Sequence, residues 1–205
     1  MKVKLCGFSE ENSLKVAIDN GADFIGFVFC QKSPRNILTK QAAHLAQFVP
    51  KNIAKVAVVV DANLDLLQEI YDNLKPQYFQ LHGNENRQKI IEIKQNFPKI
   101  KIIKALHIQN SQNLEQSLDF VDLVDFLLFD NKIAGSGKVW DFSLLKNFKC
   151  GKDWFLSGGL NSNNILQTLA QSGARMVDVS SGIEEIKGIK SPKLITEFMH
   201  KIRLS

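Results

Sequence analysis

Residues 53–74 read IAKVAVVVDANLDLLQEIYDNL and join two different patterns in one short span. The first part, residues 53–60, is β-branched and almost continuously apolar, which predicts a strand covered on both faces. The second part, residues 63–74, spaces its apolar side chains as an amphipathic helix does. A covered strand followed directly by a helix is the repeating unit of a parallel sheet.

The same strand–helix unit recurs along the chain, eight times in all and about every 25 residues. The predicted strands are KVKLC, DFIGFVF, IAKVAVVV, PQYFQLHG, KIIKAL, DFLLFD, DWFLSGG and MVDVSSG. Eight such units predict a closed (β/α)8 TIM barrel of the α/β class, with a doubly wound open sheet as the alternative. No linker-like segment divides the chain, so residues 1–205 are expected to form one domain. Ser9 and Thr39 are predicted to cap the first two helices.

The composition is that of a globular protein, with 44% hydrophobic and 23% charged residues among 205. No apolar run approaches the roughly 20 residues of a membrane span. Charged and turn-forming residues interrupt the N-terminus where a signal peptide would be apolar. We therefore expect a cytoplasmic protein with no membrane partner.

The net charge of +5 suits either a nucleic acid or a phosphorylated small molecule as partner. The lysines are scattered and form no stripe with aromatic residues, so we expect no nucleic-acid partner. Cys6, Cys30 and Cys150 are odd in number and widely spaced, which indicates free thiols. No grouping of His, Asp or Glu has the spacing of metal ligands, so we predict no metal.

The first predicted strand ends in a thiol, at the end of the barrel where active sites of this fold lie. Strand alternation turns Val3 and Leu5 toward the helices. Lys4 and Cys6 then point into the barrel, where a lysine beneath a thiol favours the thiolate. The alternative is a buried structural cysteine, which the strand on its own favours.

Polar side chains also end or follow three other predicted strands. Asp130 ends the apolar strand DFLLFD, either as a turn cap or as a partly buried general acid. His82 shares an inward face with Gln80 and is interpreted as a packed, hydrogen-bonded histidine rather than a base. Arg35 in QKSPRN offers a planar fork suited to a carboxylate, although its spacing alone favours a solvated arginine.

Small residues end the last two predicted strands, as SGG at residues 157–159 and SSG at residues 180–182. Backbone N–H groups can approach an anion there, and barrels of this type often bind phosphate at these strand ends. A third glycine-bearing loop, AGSGK, lies at residues 134–138, and a plain turn is the alternative for any one loop. The candidate phosphate-binding residues are Gly135, Gly158, Gly159, Ser180, Ser181 and Gly182.

Nearly end to end, the chain resembles the phosphoribosylanthranilate isomerase family of tryptophan biosynthesis. The resemblance is carried in order by KLCGFS, GADFIGFVFCQKSPRNI, QLHGNE, FDNKIAGSGKVWDFSLL, FLSGGLNSNNI and VDVSSGIEEIKGIKSPKLI. It implies the Amadori rearrangement of N-(5-phosphoribosyl)anthranilate to 1-(2-carboxyphenylamino)-1-deoxyribulose 5-phosphate. This chemistry is proton transfer only, so no cofactor is expected.

The resemblance also implies a role for each candidate residue. Asp130 would be the general acid that protonates the furanose ring oxygen, and Cys6 the general base that removes the proton from C2. Arg35 would hold the anthranilate carboxylate, and the last two strand ends the phosphate, with Asp178 beside them contacting the substrate. The partner is then a small phosphorylated aminosugar. We expect a monomer, since no long exposed apolar patch is readable.

A few positions depart from the family pattern. The usual CGIT reads CGFS, where Phe8 is expected to face the helices and Ser9 keeps a hydroxyl for capping. Asn131 replaces a common threonine beside Asp130, and the usual GGSG begins with Ala134. None of these changes removes a proposed catalytic group.

Three rival functions fit the strand ends less well, two because side chains are missing and one because Cys6 and Asp130 are both present. An indole-glycerol-phosphate synthase needs inward lysine and glutamate at several strand ends. A ribulose-phosphate epimerase needs paired aspartates with histidine metal ligands. A non-catalytic phosphate-binding barrel would keep the glycine-serine loops without needing both Cys6 and Asp130.

Overall fold

In the computed structural model, which describes residues 1–130 and 142–203, eight parallel strands close into a barrel in sequence order. The last strand pairs with the first, so the ring has no open edge. The predicted (β/α)8 barrel is confirmed and the doubly wound sheet is excluded. The barrel strands are β1 (Lys2–Cys6), β2 (Phe24–Phe29), β3 (Ala54–Val59), β4 (Tyr78–Leu81), β5 (Lys101–His107), β6 (Phe126–Asp130), β7 (Trp154–Leu156) and β8 (Met176–Val179).

Helices follow the strands and form the outer layer. The last of them packs beside the first and completes the ring of helices. Among the described helices, none has the length and apolar character needed to cross a membrane. They are α1 (Glu11–Asp19), α2 (Thr39–Ala46), α3 (Leu64–Leu74), α4 (Arg87–Asn96), α5 (Ser111–Ser117), α6 (Ser143–Lys146), α7 (Ile165–Ser172) and α8 (Pro192–Arg203).

The predicted caps of the first two helices are wrong. Helix α1 begins at Glu11, so Ser9 lies one residue before the cap position, which Glu10 occupies without a side-chain bond. Thr39 is the first residue inside α2, and its hydroxyl donates to Glu69 instead of accepting from the helix backbone. Side chains that do accept from first-turn N–H groups include those of Asn63, Asn86, Asn110 and Ser191.

The pleat of β1 sorts its side chains between two layers, as predicted. Val3 and Leu5 pack in the apolar layer between strands and helices, and Phe8 is fully buried in that same layer. Lys4 and Cys6 point the other way, into the barrel, and both are buried. The alternation of the strand therefore delivers an ammonium and a thiol to the interior.

Four aromatic rings fill the barrel interior at its N-terminal end. Phe24, Tyr78 and Phe126 are the first residues of β2, β4 and β6, and Phe155 joins them from β7. Their ring centroids lie between 5.2 and 6.2 Å apart, mostly edge to face. This layer forms an apolar floor beneath the C-terminal mouth of the barrel.

A short hairpin after β8 was not predicted from the sequence. Its strands are β9 (Glu184–Ile186) and β10 (Ile189–Lys190), joined at Gly188, whose φ is +91°. A Cβ on Gly188 would lie 2.5 Å from the carbonyl oxygen of Pro34. The hairpin therefore packs directly against the loop that follows β2.

Candidate active site

A cavity of about 330 Å³ opens at the C-terminal mouth of the barrel. Within residues 1–130 and 142–203, no group of three His, Cys, Asp or Glu side chains is arranged to hold a metal ion. Gly182 does not line the cavity, and Gly135, Asn131 and Ala134 lie outside the described residues. The predicted residues that line it together are Cys6, Arg35, Asp130, Gly158, Gly159, Asp178, Ser180 and Ser181.

Cys6 sits at the end of β1 against a glycine of the neighbouring strand. The two strands pair Cys6 with Gly26, and a Cβ on Gly26 would lie 2.6 Å from Sγ of Cys6. No real side chain is tolerated at that distance, so the missing side chain of Gly26 makes the room that the thiol occupies. Only 5% of Cys6 is exposed, at the cavity wall.

A buried ion pair lies beneath the thiol. Nζ of Lys4, which is fully buried, donates to Oδ1 of Asp178 at 2.8 Å across the β1–β8 seam. Burial raises the pKa of the Cys6 thiol, and Asp178 adds to the rise, while the charges of Lys4 and Lys190 oppose it. The support from Lys4 predicted from sequence therefore exists, but the burial of the thiol outweighs it.

Asp130 ends β6, three strands away from β1 around the barrel. Its side chain is 10% exposed, and Oδ2 lies 3.4 Å from Nε2 of His82. The other ring nitrogen of His82, Nδ1, lies 3.1 Å from Nε2 of Gln80. His82 is thus packed and hydrogen-bonded, as interpreted from sequence, and the structure adds that its ring contacts the candidate acid.

Arg35 is held in place by a carboxylate that the sequence analysis missed. Its Nε and Nη2 donate to the two oxygens of Glu184 at 2.6 and 2.7 Å. Gly7, at a φ of +91°, lets the arginine pass close by, since a Cβ there would lie 2.8 Å from Cδ of Arg35. With 12% of its side chain exposed, Arg35 is not a solvated surface arginine.

Glu184 also binds Lys190, the second residue that the sequence analysis missed. Nζ of Lys190 donates to Oε1 of Glu184 at 2.7 Å, and the N–H of Gly188 donates to Oε2 at 3.1 Å. Burial would raise the pKa of Glu184, but the hydrogen bonds from Arg35 and Lys190 outweigh it and lower that pKa to about 2. The glycine of EEIKGIK, which follows Lys187 between two short segments, was the only local signal for a turn here, and it was too weak to predict a hairpin.

The two glycine-serine loops lie on one side of the cavity and differ in detail. Gly158 and Gly159 have φ values of +100° and +69°, and their N–H groups have no partner among the described residues. Gly182 is required for packing instead, since a Cβ there would lie 1.8 Å from the carbonyl oxygen of Leu160. The hydroxyl of Ser180 donates to the carbonyl of Cys6 at 3.0 Å, tying β8 to β1.

A second buried ion pair supports the loop that carries His82. Nζ of Lys104 donates to Oε2 of Glu85 and to the carbonyl of Gly83, each at 2.7 Å. The other carboxylate oxygen of Glu85 accepts from the N–H of Asp61 at 2.8 Å. Both charged side chains are 2% exposed, so the pair fastens the loops after β3 and β4 to β5.

Sequence comparisons identify a protein family and individual proteins to which this chain is similar. Residues 3–201 match the family model described as N-(5'phosphoribosyl)anthranilate (PRA) isomerase. An N-(5'-phosphoribosyl)anthranilate isomerase of Zymomonas mobilis subsp. mobilis is 42% identical, over 100% of this chain and 99% of that protein. Another, from Parvibaculum lavamentivorans, is 38% identical over 97% of this chain and 96% of that protein.

Solved structures agree with the sequence comparisons. Phosphoribosyl anthranilate isomerase from Thermotoga maritima aligns with a TM-score of 0.91 and 29% identity over 100% of both chains. A phosphoribosyl anthranilate isomerase in complex with reduced 1-(o-carboxyphenylamino)-1-deoxyribulose 5-phosphate aligns at 0.89, with 27% identity over 100% of both chains. A further Thermotoga maritima structure, of monomers generated from the dimeric enzyme, aligns at 0.87, with 27% identity over 100% of both chains.

Proposed function

The chain belongs to the N-(5'-phosphoribosyl)anthranilate isomerase family, and on this basis we propose that Cys6 and Asp130 are its general base and general acid. The chain is an isomerase of tryptophan biosynthesis and converts N-(5-phosphoribosyl)anthranilate to 1-(2-carboxyphenylamino)-1-deoxyribulose 5-phosphate. One observation carries the assignment of the two residues: they end two barrel strands and line the same cavity.

Ring opening is the first step. The carboxyl of Asp130 gives its proton to the furanose ring oxygen, and the bond between that oxygen and C1 breaks. The nitrogen lone pair then forms a protonated Schiff base with C1. His82, which contacts Oδ2 of Asp130, fixes the direction in which the carboxyl points.

Proton removal from C2 is the second step. The thiolate of Cys6 takes this proton, and the electrons of the C–H bond neutralise the Schiff base to give an enolamine. Tautomerisation moves a proton from the C2 hydroxyl to C1 and leaves the ketone. Cys6 has gained one proton and Asp130 has lost one, so exchange with solvent restores both groups.

Protein groups bind the two ends of the substrate and hold it next to Cys6 and Asp130. Arg35 uses Nε and Nη2 for Glu184 and leaves Nη1, which has no partner among the described residues, for the anthranilate carboxylate. The N–H groups of Gly158 and Gly159 are available for the phosphate, with Ser181 beside them on the cavity wall. Phosphate binding far from C2 supplies positioning energy for the proton transfers.

The fluorescence of the anthranilate group provides the test of this assignment. Purified protein is expected to convert the substrate, and Cys6→Ser and Asp130→Asn are each expected to lower kcat by about 10²–10⁴-fold. Cys150→Ser is the matched control, because that buried thiol donates to the carbonyl of Lys152, outside the cavity. Wild-type turnover in both site variants would contradict the assignment, and phosphate binding without turnover in the wild type would favour a metabolite-sensing barrel.

We also propose that residues 1–205 form one domain and act as a cytoplasmic monomer. The barrel strands run from Lys2 to Val179, and α8 packs beside α1, which supports one domain. Ile186 and Ile189 are both exposed and pair on the hairpin, while Leu118 and Leu166 lie apart from them on the helix side. An exposed apolar patch of two side chains is too small to indicate a stable dimer interface. Light scattering that gives twice the chain mass would contradict the monomer.

A further inference from the structure

Charged side chains from several elements surround Cys6. Among residues 1–130 and 142–203, three of them are cations and two are carboxylates, so this group carries one unmatched positive charge. They are Lys4 on β1, Asp178 on β8, Arg35 in the loop after β2, and Glu184 and Lys190 on the β9–β10 hairpin.

The unmatched positive charge lies among the residues on or next to the β9–β10 hairpin. Lys4 and Asp178 form a one-to-one pair at 2.8 Å, so their charges balance. Glu184 is instead shared by two cations, Arg35 at 2.6 Å and Lys190 at 2.7 Å. The surplus therefore lies on the three hairpin-side residues, which we call the hairpin triad.

Burial lowers the pKa of Lys190, and the hydrogen bond and charge of Glu184 oppose that change. Three hydrogen bonds favour the charged form of Lys190. Its Nζ donates to the carbonyl of Ser180 at 2.9 Å, to Oγ of Ser180 at 3.2 Å and to Glu184 at 2.7 Å. A neutral amine has two N–H groups and an ammonium has three, so three acceptors favour the charged form. Since Oγ of Ser180 donates to the carbonyl of Cys6, the ammonium is fastened to the backbone that carries the thiol.

We propose that Lys190 is a positioning residue whose charge stabilises the Cys6 thiolate, an inference that rests on the assignment of Cys6 as general base. Lys4, to which the sequence analysis gave this role, also lowers the pKa of the thiol, but Asp178 beside it raises that pKa and offsets part of the effect. The substrate brings a carboxylate and a phosphate, and its Schiff base brings a positive charge. In the proposed binding mode the carboxylate lies at Arg35 and the phosphate at the glycine-serine loops, whereas the three hydrogen bonds of Lys190 go to Ser180 and Glu184. Lys190 is therefore the cation of the hairpin triad that stays bonded to the protein alone when the thiolate acts.

The pH at which Cys6 ionises is the measurable consequence. Burial raises the pKa of this thiol and the charge of Lys190 lowers it, so removal of that charge must move ionisation to higher pH. The rate of Cys6 alkylation by iodoacetamide is followed against pH by mass spectrometry of the Cys6 peptide. Lys190→Met is expected to raise the midpoint by about one pH unit, and the alkaline-rising limb of kcat/KM by the same amount.

Three further variants separate the effect of the charge of Lys190 from that of its hydrogen bonds and from that of a distant charge. Lys190→Gln lacks the charge but keeps a donor for Glu184, and the same upward shift is expected. Lys190→Arg keeps the charge, and its midpoint is expected near that of the wild type. Lys193→Met removes one positive charge from a side chain that is 83% exposed, so its midpoint is expected to be unchanged. Wild-type midpoints in both Lys190→Met and Lys190→Gln would overturn the proposal.

The outcome for Cys6→Ser separates this inference from the proposed function. Full turnover in Cys6→Ser overturns the assignment of the base itself. Lost turnover in Cys6→Ser with an unmoved midpoint in Lys190→Met and Lys190→Gln overturns the role of Lys190 alone. A purely structural role for Lys190 would lower kcat/KM equally at every pH, without moving the midpoint.

Discussion

The two sides of the barrel mouth surround their reactive groups in opposite ways. Cys6 is faced by the buried cations Lys4 and Lys190 and by the guanidinium of Arg35. Asp130 is instead faced by the ring of His82, and among the described residues it forms no ion pair with a lysine or arginine. A base must lose a proton to act and an acid must hold one, so cations are useful at Cys6 and unwanted at Asp130.

The difference extends to the role of the buried ion pairs. On the Cys6 side, Asp178 binds Lys4 and Glu184 binds Lys190, and both of these cations lower the pKa of the thiol. On the Asp130 side, the Lys104–Glu85 pair is equally buried, but it fastens backbone of the loop that carries His82. The first set is electrostatic in function and the second is structural, which gives separable predictions.

The largest effect is expected from breaking the structural pair. Lys104→Met leaves Glu85 buried without its cation, and loss of one partner of such a pair costs about 3–5 kcal/mol of stability. Urea unfolding of the variant is expected to show this loss in the free energy of unfolding. Lys104→Met combined with Glu85→Gln removes both charges and is expected to recover part of it. Equal stability of the single and double variants would contradict a structural role for the charge pair.

A large loss of activity is expected from crowding the thiol. Gly26→Ala places a Cβ 2.6 Å from Sγ of Cys6 and must displace the sulfur. A displacement of that kind is expected to lower kcat by about 10²-fold. Gly173→Ala is the control for a change away from the cavity. Its φ of +69° disfavours alanine and is expected to lower stability, but a Cβ there has nothing within 4 Å and lies away from the cavity, so kcat is expected to be unchanged. Unchanged kcat in Gly26→Ala would show that the position of Cys6 is not critical for turnover.

The smallest effect is expected in the acid stability of the Cys6 side. The pKa of Glu184 falls from an ordinary value of 4.5 to about 2 on folding. Its stabilising contribution is therefore complete above about pH 4.5 and is lost as the pH falls toward 2. The free energy of unfolding of Glu184→Gln is expected to fall less steeply over this range than that of the wild type.

An exposed carboxylate provides the comparison for that measurement. Asp122 binds Arg87 through its side chain, and its pKa is also lowered to about 2. Its side chain is 59% exposed, so solvent screens the pair and its contribution to stability is small. Asp122→Asn is expected to follow the wild-type pH dependence closely. A larger change in Asp122→Asn than in Glu184→Gln would reverse the expected order of the two pairs.

The sequence was sufficient to predict the structural features that repeat along the chain or that lie within one strand. Eight apolar strands with amphipathic helices predict the barrel, and alternation alone turns Lys4 and Cys6 inward. The order of the strands then brings Asp130 to the same mouth. Each of these predictions depends on local periodicity and on the geometry of the fold.

Contacts between distant parts of the chain could not be predicted in this way. Arg35 and Glu184 are 149 residues apart, and nothing in their spacing indicates a shared bidentate bond. The hairpin strands β9 and β10 are three and two residues long, too short for a periodic signal. Gly182 was assigned to the phosphate because its contact with Leu160 is visible only when the two loops are placed together.

The aromatic layer at the N-terminal end closes the barrel below the cavity. Phe24, Tyr78 and Phe155 are at most 8% exposed, so these side chains fill the barrel axis there. Among the described residues, the cavity opens only at the C-terminal end of the barrel, and substrate and product would occupy the same space in it. Product is therefore expected to inhibit competitively with substrate, which initial rates at several product concentrations would check.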